Sequence, residues 1–330
     1  MTHDSSPPAP TGHLTPGRRQ DPPRGQTGSG VAPTADRRSF GHGLLMLALG
    51  ANAPRPGRAC PVQRGGDGTV RRPTADAPAQ RLAHPAALAR VFAADVQPRL
   101  EVPAEEQATY SRALRQQLER TGVHIERPQW LVLVDRSARV QVAMVWWVDA
   151  AGAAGLVGAT PASTGRPSGF EHFATPLGVF AHTLDNPDFR AEGTVNALGI
   201  RGYGERGMRV YDFGWVVAER GWAPGSQAMR LQMHATDPMH LEPRLGTRAS
   251  KGCIRVPARL NTLLDRWGVL DADYDAAGAA TGRWHWVLRP DRIPTPWAGR
   301  WLVVVETDRA QRPIWSEPPA QARRPYQRGA

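Results

Sequence analysis

At 330 residues the chain has room for one large or two ordinary domains, and its formal charge of +11 raises the question of a nucleic-acid partner. The distribution of that charge argues against one. Residues 1–81 hold eleven arginines against five aspartates, a surplus of six outside any expected core, and aromatics do not alternate with them as a single-strand binding surface requires.

In chain order, residues 1–53 read as a leader. Arg37-Arg38-Ser39-Phe40 precedes the apolar run from Gly43 to Gly50, and Ala51-Asn52-Ala53 follows as a small-x-small site. A charged region, a short apolar stretch and such a site form a secretory signal peptide, with an Arg-Arg pair of twin-arginine type. The apolar run falls far short of the roughly 20 residues that span a bilayer, so no stable membrane span is expected. Residues 54–84 are rich in Pro, Gly, Thr and Arg and read as a linker without a core. Cys60 lies there with nothing to fix it near Cys253, the only other cysteine, so Cys253 is read as a free thiol.

Residues 85–128 predict a helical extension. Leu88, Val91, Phe92, Val96 and Leu100 repeat at helical spacing, as do Tyr110, Leu114 and Leu118, with Pro98 and Pro103 marking the break between two helices. From residue 129 the period changes. Trp130–Val134 and Val140–Val148 read as strands joined by the turn Asp135-Arg136-Ser137. Further strands are expected at Leu156–Ala159, Gly178–His182, Met208–Tyr211, Met229–His234, Trp284–Leu288 and Trp301–Val305, and one helix at Pro257–Trp267. Many short strands with turns between them point to a mainly β sandwich or barrel over residues 129–306, followed by a tail at 307–330.

Gly202-Tyr203-Gly204-Glu205-Arg206-Gly207 has the glycine spacing of a dinucleotide loop. No helix pattern follows to supply an N-terminus for a phosphate, so it is read as a glycine-rich connection, and no cofactor is expected.

The chemistry concentrates around Cys253. Lys251, the only lysine in the chain, stands two residues before it in Ser250-Lys251-Gly252-Cys253-Ile254-Arg255, and His234 closes an apolar strand nineteen residues upstream. A thiol flanked by a cation, with a histidine in folding distance, is how a protein prepares a thiolate near neutral pH. The amides of Gly252 and Cys253 are candidates to face an oxyanion. A zinc site on His234, His240 and Cys253 lacks a third ligand at a familiar spacing, so no metal is expected.

Four stretches give this region a resemblance to the L,D-transpeptidase catalytic domain of bacterial cell-wall enzymes. Ser163-Thr164-Gly165 resembles the family's Ser/Thr-Gly, and Thr175-Pro176-Leu177-Gly178-Val179-Phe180 its Thr-Pro-x-Gly-x-Phe. His234-Ala235-Thr236 is similar to its His-Gly-Thr, and Ser250–Arg255 to its Ser-His-Gly-Cys-apolar-Arg/Asn signature, with Lys251 where the family has histidine. The resemblance implies Cys253 as nucleophile, His234 as base oriented by a carbonyl such as that of Ala235, Gly252 and Lys251 supporting the oxyanion or thiolate, and Ser250 and Arg255 contacting substrate. It further implies peptidoglycan stem peptides as donors: the cysteine attacks the third residue, expels D-alanine and holds a thioester. A stem-peptide amine, a lipoprotein lysine or water then takes the acyl group. A cysteine hydrolase on the same scaffold and a non-catalytic wall-binding homologue are the competing readings.

Overall fold

A computed structural model describes residues 86–282 and 285–317. The expected leader, the linker and Cys60 lie outside the described residues, as does the end of the tail from residue 318.

The helical spacing before residue 129 closes into α1 (Ala86–Asp95) and α2 (Ala104–Arg120), which bury Leu88 and Phe92, and Tyr110, Leu114 and Leu118 respectively. Strands dominate thereafter. A five-stranded mixed sheet runs in the order β3 (Ala154–Pro161), β2 (Val142–Val148), β1 (Gln129–Asp135), β9 (Trp301–Val305), β4 (Gly178–Ala181). Its middle strand β1 pairs antiparallel with β2 and parallel with β9, and every one of its residues is buried. Burial on both faces is why Trp130–Val134 reads as an unbroken apolar run instead of alternating. Tyr110 Oη donates to Asp135 Oδ2 at 2.7 Å, tying α2 to the end of β1.

A second, four-stranded sheet has the order β5 (Phe189–Arg190), β6 (Arg209–Glu219), β7 (Ser226–His234), β8 (Ile254–Arg255). One core is shared between the sheets. Val132, Val134 and Val304 of the first cluster with Tyr211, Leu231, Met233 and Ile254 of the second, sealed by Leu260, Leu263 and Leu264 of α3 (Ala258–Arg266).

The structure departs from the expected elements in four places. Residues 285–288 form a turn, with Leu288 N donating to His285 O at 3.0 Å, and no strand; Trp284 lies outside the described residues. β6 runs eight residues beyond Tyr211, because Gly214 takes φ +81° and absorbs a bulge between Asp212 and Trp215 that interrupts the apolar alternation. The two-residue strands β5 and β8 are too short to carry a period. α4 (Ala272–Thr281) follows α3 and has almost no amphipathic stripe; its signals are Asp273 and Asp275 in the first turn and Gly282 at φ +65° after the last.

Candidate active site

The site is one face of the four-stranded sheet. β8 pairs with β7 in parallel, placing Met233 beside Ile254 and His234 beside Arg255. Neighbours in register share a face and side chains alternate along each strand. Leu231, Met233 and Ile254 therefore turn into the core, where each is fully buried. Arg230, Gln232, His234 and Arg255 turn the other way. Cys253, one residue before Ile254, falls on that same outer face, with Sγ 3.9 Å from the Arg230 carbonyl oxygen.

The cysteine loop is braced by the other motifs. Ser163 and Arg255 exchange backbone hydrogen bonds at 2.9 and 2.8 Å, and Arg166 N and Phe173 N donate to the carbonyls of Ser250 and Lys251 at 3.0 Å each. Thr175 makes the central link: its hydroxyl donates to Gly252 O at 2.6 Å and accepts from Gly165 N at 2.8 Å. Gly252 sits at φ +140°, and a Cβ there would lie 2.8 Å from Met229 Sδ and 3.3 Å from Phe173 Cβ. Only glycine fits that backbone and that space.

His234 is buried, and its Nδ1 lies 2.5 Å from the carbonyl oxygen of Ala235. A carbonyl only accepts, so Nδ1 carries the proton and Nε2 keeps a free lone pair. Burial depresses the imidazole to about 4, against the upward pull of the Ala235 carbonyl, and the Arg255 charge adds to the depression. At neutral pH His234 is thus an unprotonated base. Ala235, standing where the family has glycine, is accommodated by Gly204 at φ +85°, where a Cβ would be only 3.0 Å from that of Ala235.

Burial also pushes the Cys253 thiol above its ordinary value, and Asp212 adds to the shift. The backbone N–H of Gln232 and the Arg255 guanidinium oppose it. Burial thus favours the neutral form of both the thiol and the imidazole. A thiolate standing ready at neutral pH, as the cation-and-histidine pattern leads one to expect, is not what this environment supports, because burial disfavours both charged forms.

The expected support residues divide. Arg255 is the cation whose field reaches the sulfur. It is largely buried, one nitrogen donates to Ala249 O at 3.1 Å, and its Nε has no partner. Lys251 is turned outward, with Nζ 3.2 Å from Glu171 Oε2 in an exposed ion pair. Ser250, expected at the substrate, is buried and both roles of its hydroxyl are taken: it donates to Cys253 O at 2.5 Å and accepts from Gly252 N at 3.1 Å. That second bond also commits the Gly252 amide, which the sequence reading assigned to an oxyanion. His240 pairs with Asp237 at 2.9 Å, and among the described residues no group of three or more His, Cys, Asp or Glu side chains is placed to hold a metal.

Sequence reasoning missed the polar relay beside Cys253. The Tyr203 ring stands edge-on to His234 at 4.6 Å, and its hydroxyl donates to Gln232 Oε1 at 3.0 Å. Gln232 Nε2 and Arg230 Nε both donate to Asp212 Oδ2 at 2.8 Å. The available signal was Tyr203 itself, an aromatic set between two glycines in the loop dismissed as a dinucleotide motif.

A thiol, an imidazole with one free nitrogen and a half-buried guanidinium on one sheet face are the kinds of group that cysteine acyl transfer uses. The family model of the L,D-transpeptidase catalytic domain matches residues 129–287, a stretch that contains all four sequence motifs, and this part of the chain is a domain of that family. The match ends before β9, which completes the five-stranded sheet, and begins after α1 and α2. No curated protein matches the chain.

Proposed function

We propose that the chain is an exported L,D-transpeptidase that acylates Cys253 with a peptidoglycan stem peptide and passes the acyl group to an amine. The observation that carries this reading is the placement of Cys253, His234 and Arg255 on one face of the sheet inside a domain of that family. His234 Nε2 takes the Sγ proton as sulfur attacks the carbonyl of the third stem residue. The imidazolium returns that proton to the departing nitrogen, D-alanine leaves as a neutral amine, and the thioester remains. An incoming amine then loses its proton to His234 as it attacks, and the thiol is regenerated. The Arg255 guanidinium, with no carboxylate paired to it among the described residues, suits a substrate carboxylate, since a guanidinium attracts that charge.

The leader-like residues 1–53 support placement outside the cytoplasm, where this substrate lies. No described helix is long and apolar enough to cross a membrane.

Intact-mass measurement after incubation with a stem tetrapeptide tests the reading. The expected result is a mass gain equal to the tetrapeptide minus D-alanine in the native chain and none in Cys253→Ala. An adduct that survives in Cys253→Ala overturns it.

A further inference from the structure

The outer face that carries Cys253 does not end there. Beyond Arg230 it continues onto the distal part of the β6–β7 hairpin, where Trp215 is opposite Arg230 and Val217 opposite Ala228. Trp215 is 68 % exposed and Val217 70 %. An aromatic and an aliphatic side chain left this open on a well-formed strand are unusual for a solvated surface. The Arg230 guanidinium lies 6.0 Å from the Trp215 ring centroid and is held by Asp212, so it adds hydrogen-bond donors to the platform without a free positive charge.

We propose that this platform, centred on Trp215 with Val217 and Arg230 beside it, is a carbohydrate subsite that receives the sugar carrying the donor stem peptide. The inference rests on the acyl-transfer reading above for its orientation. Two cations bracket the nucleophile and differ in kind. Among the described residues Arg255 has no carboxylate paired to it, so its charge attracts the free carboxylate at the donor's end. Arg230 is neutralised by Asp212 and does not compete. The donor then enters with its carboxylate at Arg255 and its acyl carbonyl at Cys253, and its amino-terminal part leads toward Arg230 and Trp215.

The lengths agree. Cys253 lies alongside Gln232, so Trp215 is two strand spacings across and two residues along from it, about 12 Å by ordinary sheet geometry. Three extended residues, from the attacked carbonyl back to the first stem nitrogen, span about 10 Å. The group attached to that nitrogen, the acyl substituent of the sugar, arrives at the indole. A neutral pyranose has an apolar face for the ring and for Val217, and hydroxyl and acetamide oxygens for the remaining Arg230 donors. A polyanion would be poorly served by a guanidinium already paired.

The experiment uses the full chain and two probes: a peptide-free N-acetylated disaccharide from peptidoglycan, and the same disaccharide carrying the tetrapeptide, each compared with the free tetrapeptide. Binding of the peptide-free sugar is followed by nuclear magnetic resonance of the indole N–H signals, and acylation by intact mass. The Trp215 indole signal is expected to shift with the sugar alone. Acylation by the sugar-bearing peptide should exceed that by the free peptide about tenfold, an advantage that Trp215→Ala removes while leaving the free-peptide rate as it was. Trp215 is exposed, so this variant is expected to fold. An unshifted Trp215 signal at saturating sugar, or an advantage that survives Trp215→Ala, overturns the subsite whether or not Cys253 is acylated. A Trp215-dependent dimer with no response to sugar assigns the face to a second copy and also overturns it. Sugar binding at Trp215 with no acylation by either peptide leaves the subsite standing and overturns the acyl-transfer reading instead.

Discussion

The Tyr203 ring seals the His234 imidazole, standing edge-on at 4.6 Å while its hydroxyl reaches Gln232 on the next outward-facing position of β7. The ring contributes to the burial that keeps the base neutral, and the hydroxyl joins it to the Asp212–Arg230 pair. The two contributions separate on mutation. Tyr203→Phe should retain the low imidazole value and lose less than about tenfold in acylation, the scale of one neutral hydrogen bond. Tyr203→Ala opens the imidazole to water, and its acid limb should climb from about 4 toward the ordinary 6.5. Acylation rates against pH for the two variants decide it; identical acid limbs would show that the ring does not govern the burial.

The neutral resting pair has its own signature. Because burial lifts the Cys253 thiol above its ordinary value, thiolate accumulates only at a pH above that at which an ordinary cysteine ionises. Alkylation by iodoacetamide should be slow and nearly flat through neutrality, then climb at alkaline pH, later than for an ordinary cysteine. Enzymatic acylation should behave otherwise. It needs unprotonated His234, so kcat/KM should rise through pH 4 and hold a plateau across neutrality. Fast alkylation at pH 7 would mean an ion pair, contrary to the burial of both groups.

The same depressed imidazole links stability to acid. His234 titrates near 4 when folded and near 6.5 when unfolded, so between those values the unfolded chain binds more protons. The stability it contributes is fully present above 6.5 and is lost as pH falls toward 4, up to about 3 kcal/mol at 1.36 kcal/mol per unit. Urea midpoints at pH 7 and pH 4.5 should therefore differ more in the native chain than in His234→Ala. Equal differences would place the acid sensitivity elsewhere.

Thr175 is the bolt of the cysteine loop. Thr175→Val keeps the shape but leaves Gly165 N and Gly252 O without their partner, each in buried surroundings. The cost of such orphaned groups is about 1–3 kcal/mol apiece, and the loop that carries Cys253 should loosen with them. A lowered melting temperature with slowed acylation is expected, and Thr175→Ser should restore both. If valine neither lowers the melting temperature nor slows acylation, the loop is held by its backbone pairs alone.

Much of this was legible in the sequence, and the failures have physical causes. Strands with a long apolar run or clear alternation, such as β1, β2 and β9, could be read because burial on one or both faces imposes a pattern on five or more residues. β8 could not, since two residues carry no period, yet it is the strand that sets Cys253 beside His234. The motif residues announced which side chains cluster without showing which way each one points. Ser250 and Lys251 sit within three residues of Cys253, and one turns inward to hold the loop while the other turns out to Glu171. Trp215 was hidden for another reason: the Gly214 bulge breaks the alternation of β6 just before it, where the strand leaves the core.

Lys251 offers the sharpest contrast between neighbourhood in sequence and action in space. A lysine two residues from a thiol suggests electrostatic activation, but its ammonium is mostly exposed and paired with Glu171 at 3.2 Å. Water screens such a pair, and exposed ion pairs are worth at most about 1 kcal/mol. Arg255 stands on the same sheet face as the sulfur, largely buried, where its charge is far less screened. Lys251→Ala should therefore leave the pH dependence of Cys253 alkylation unmoved, and Lys251→His should do the same. Arg255→Gln should push the thiol higher still, because the guanidinium is one of the groups favouring the thiolate. Alkylation rates of the native chain and these three variants, followed from neutral to alkaline pH, make the comparison. A rise in the thiol pKa of Lys251→Ala, with none in Arg255→Gln, would reverse the assignment and return the activating charge to the lysine.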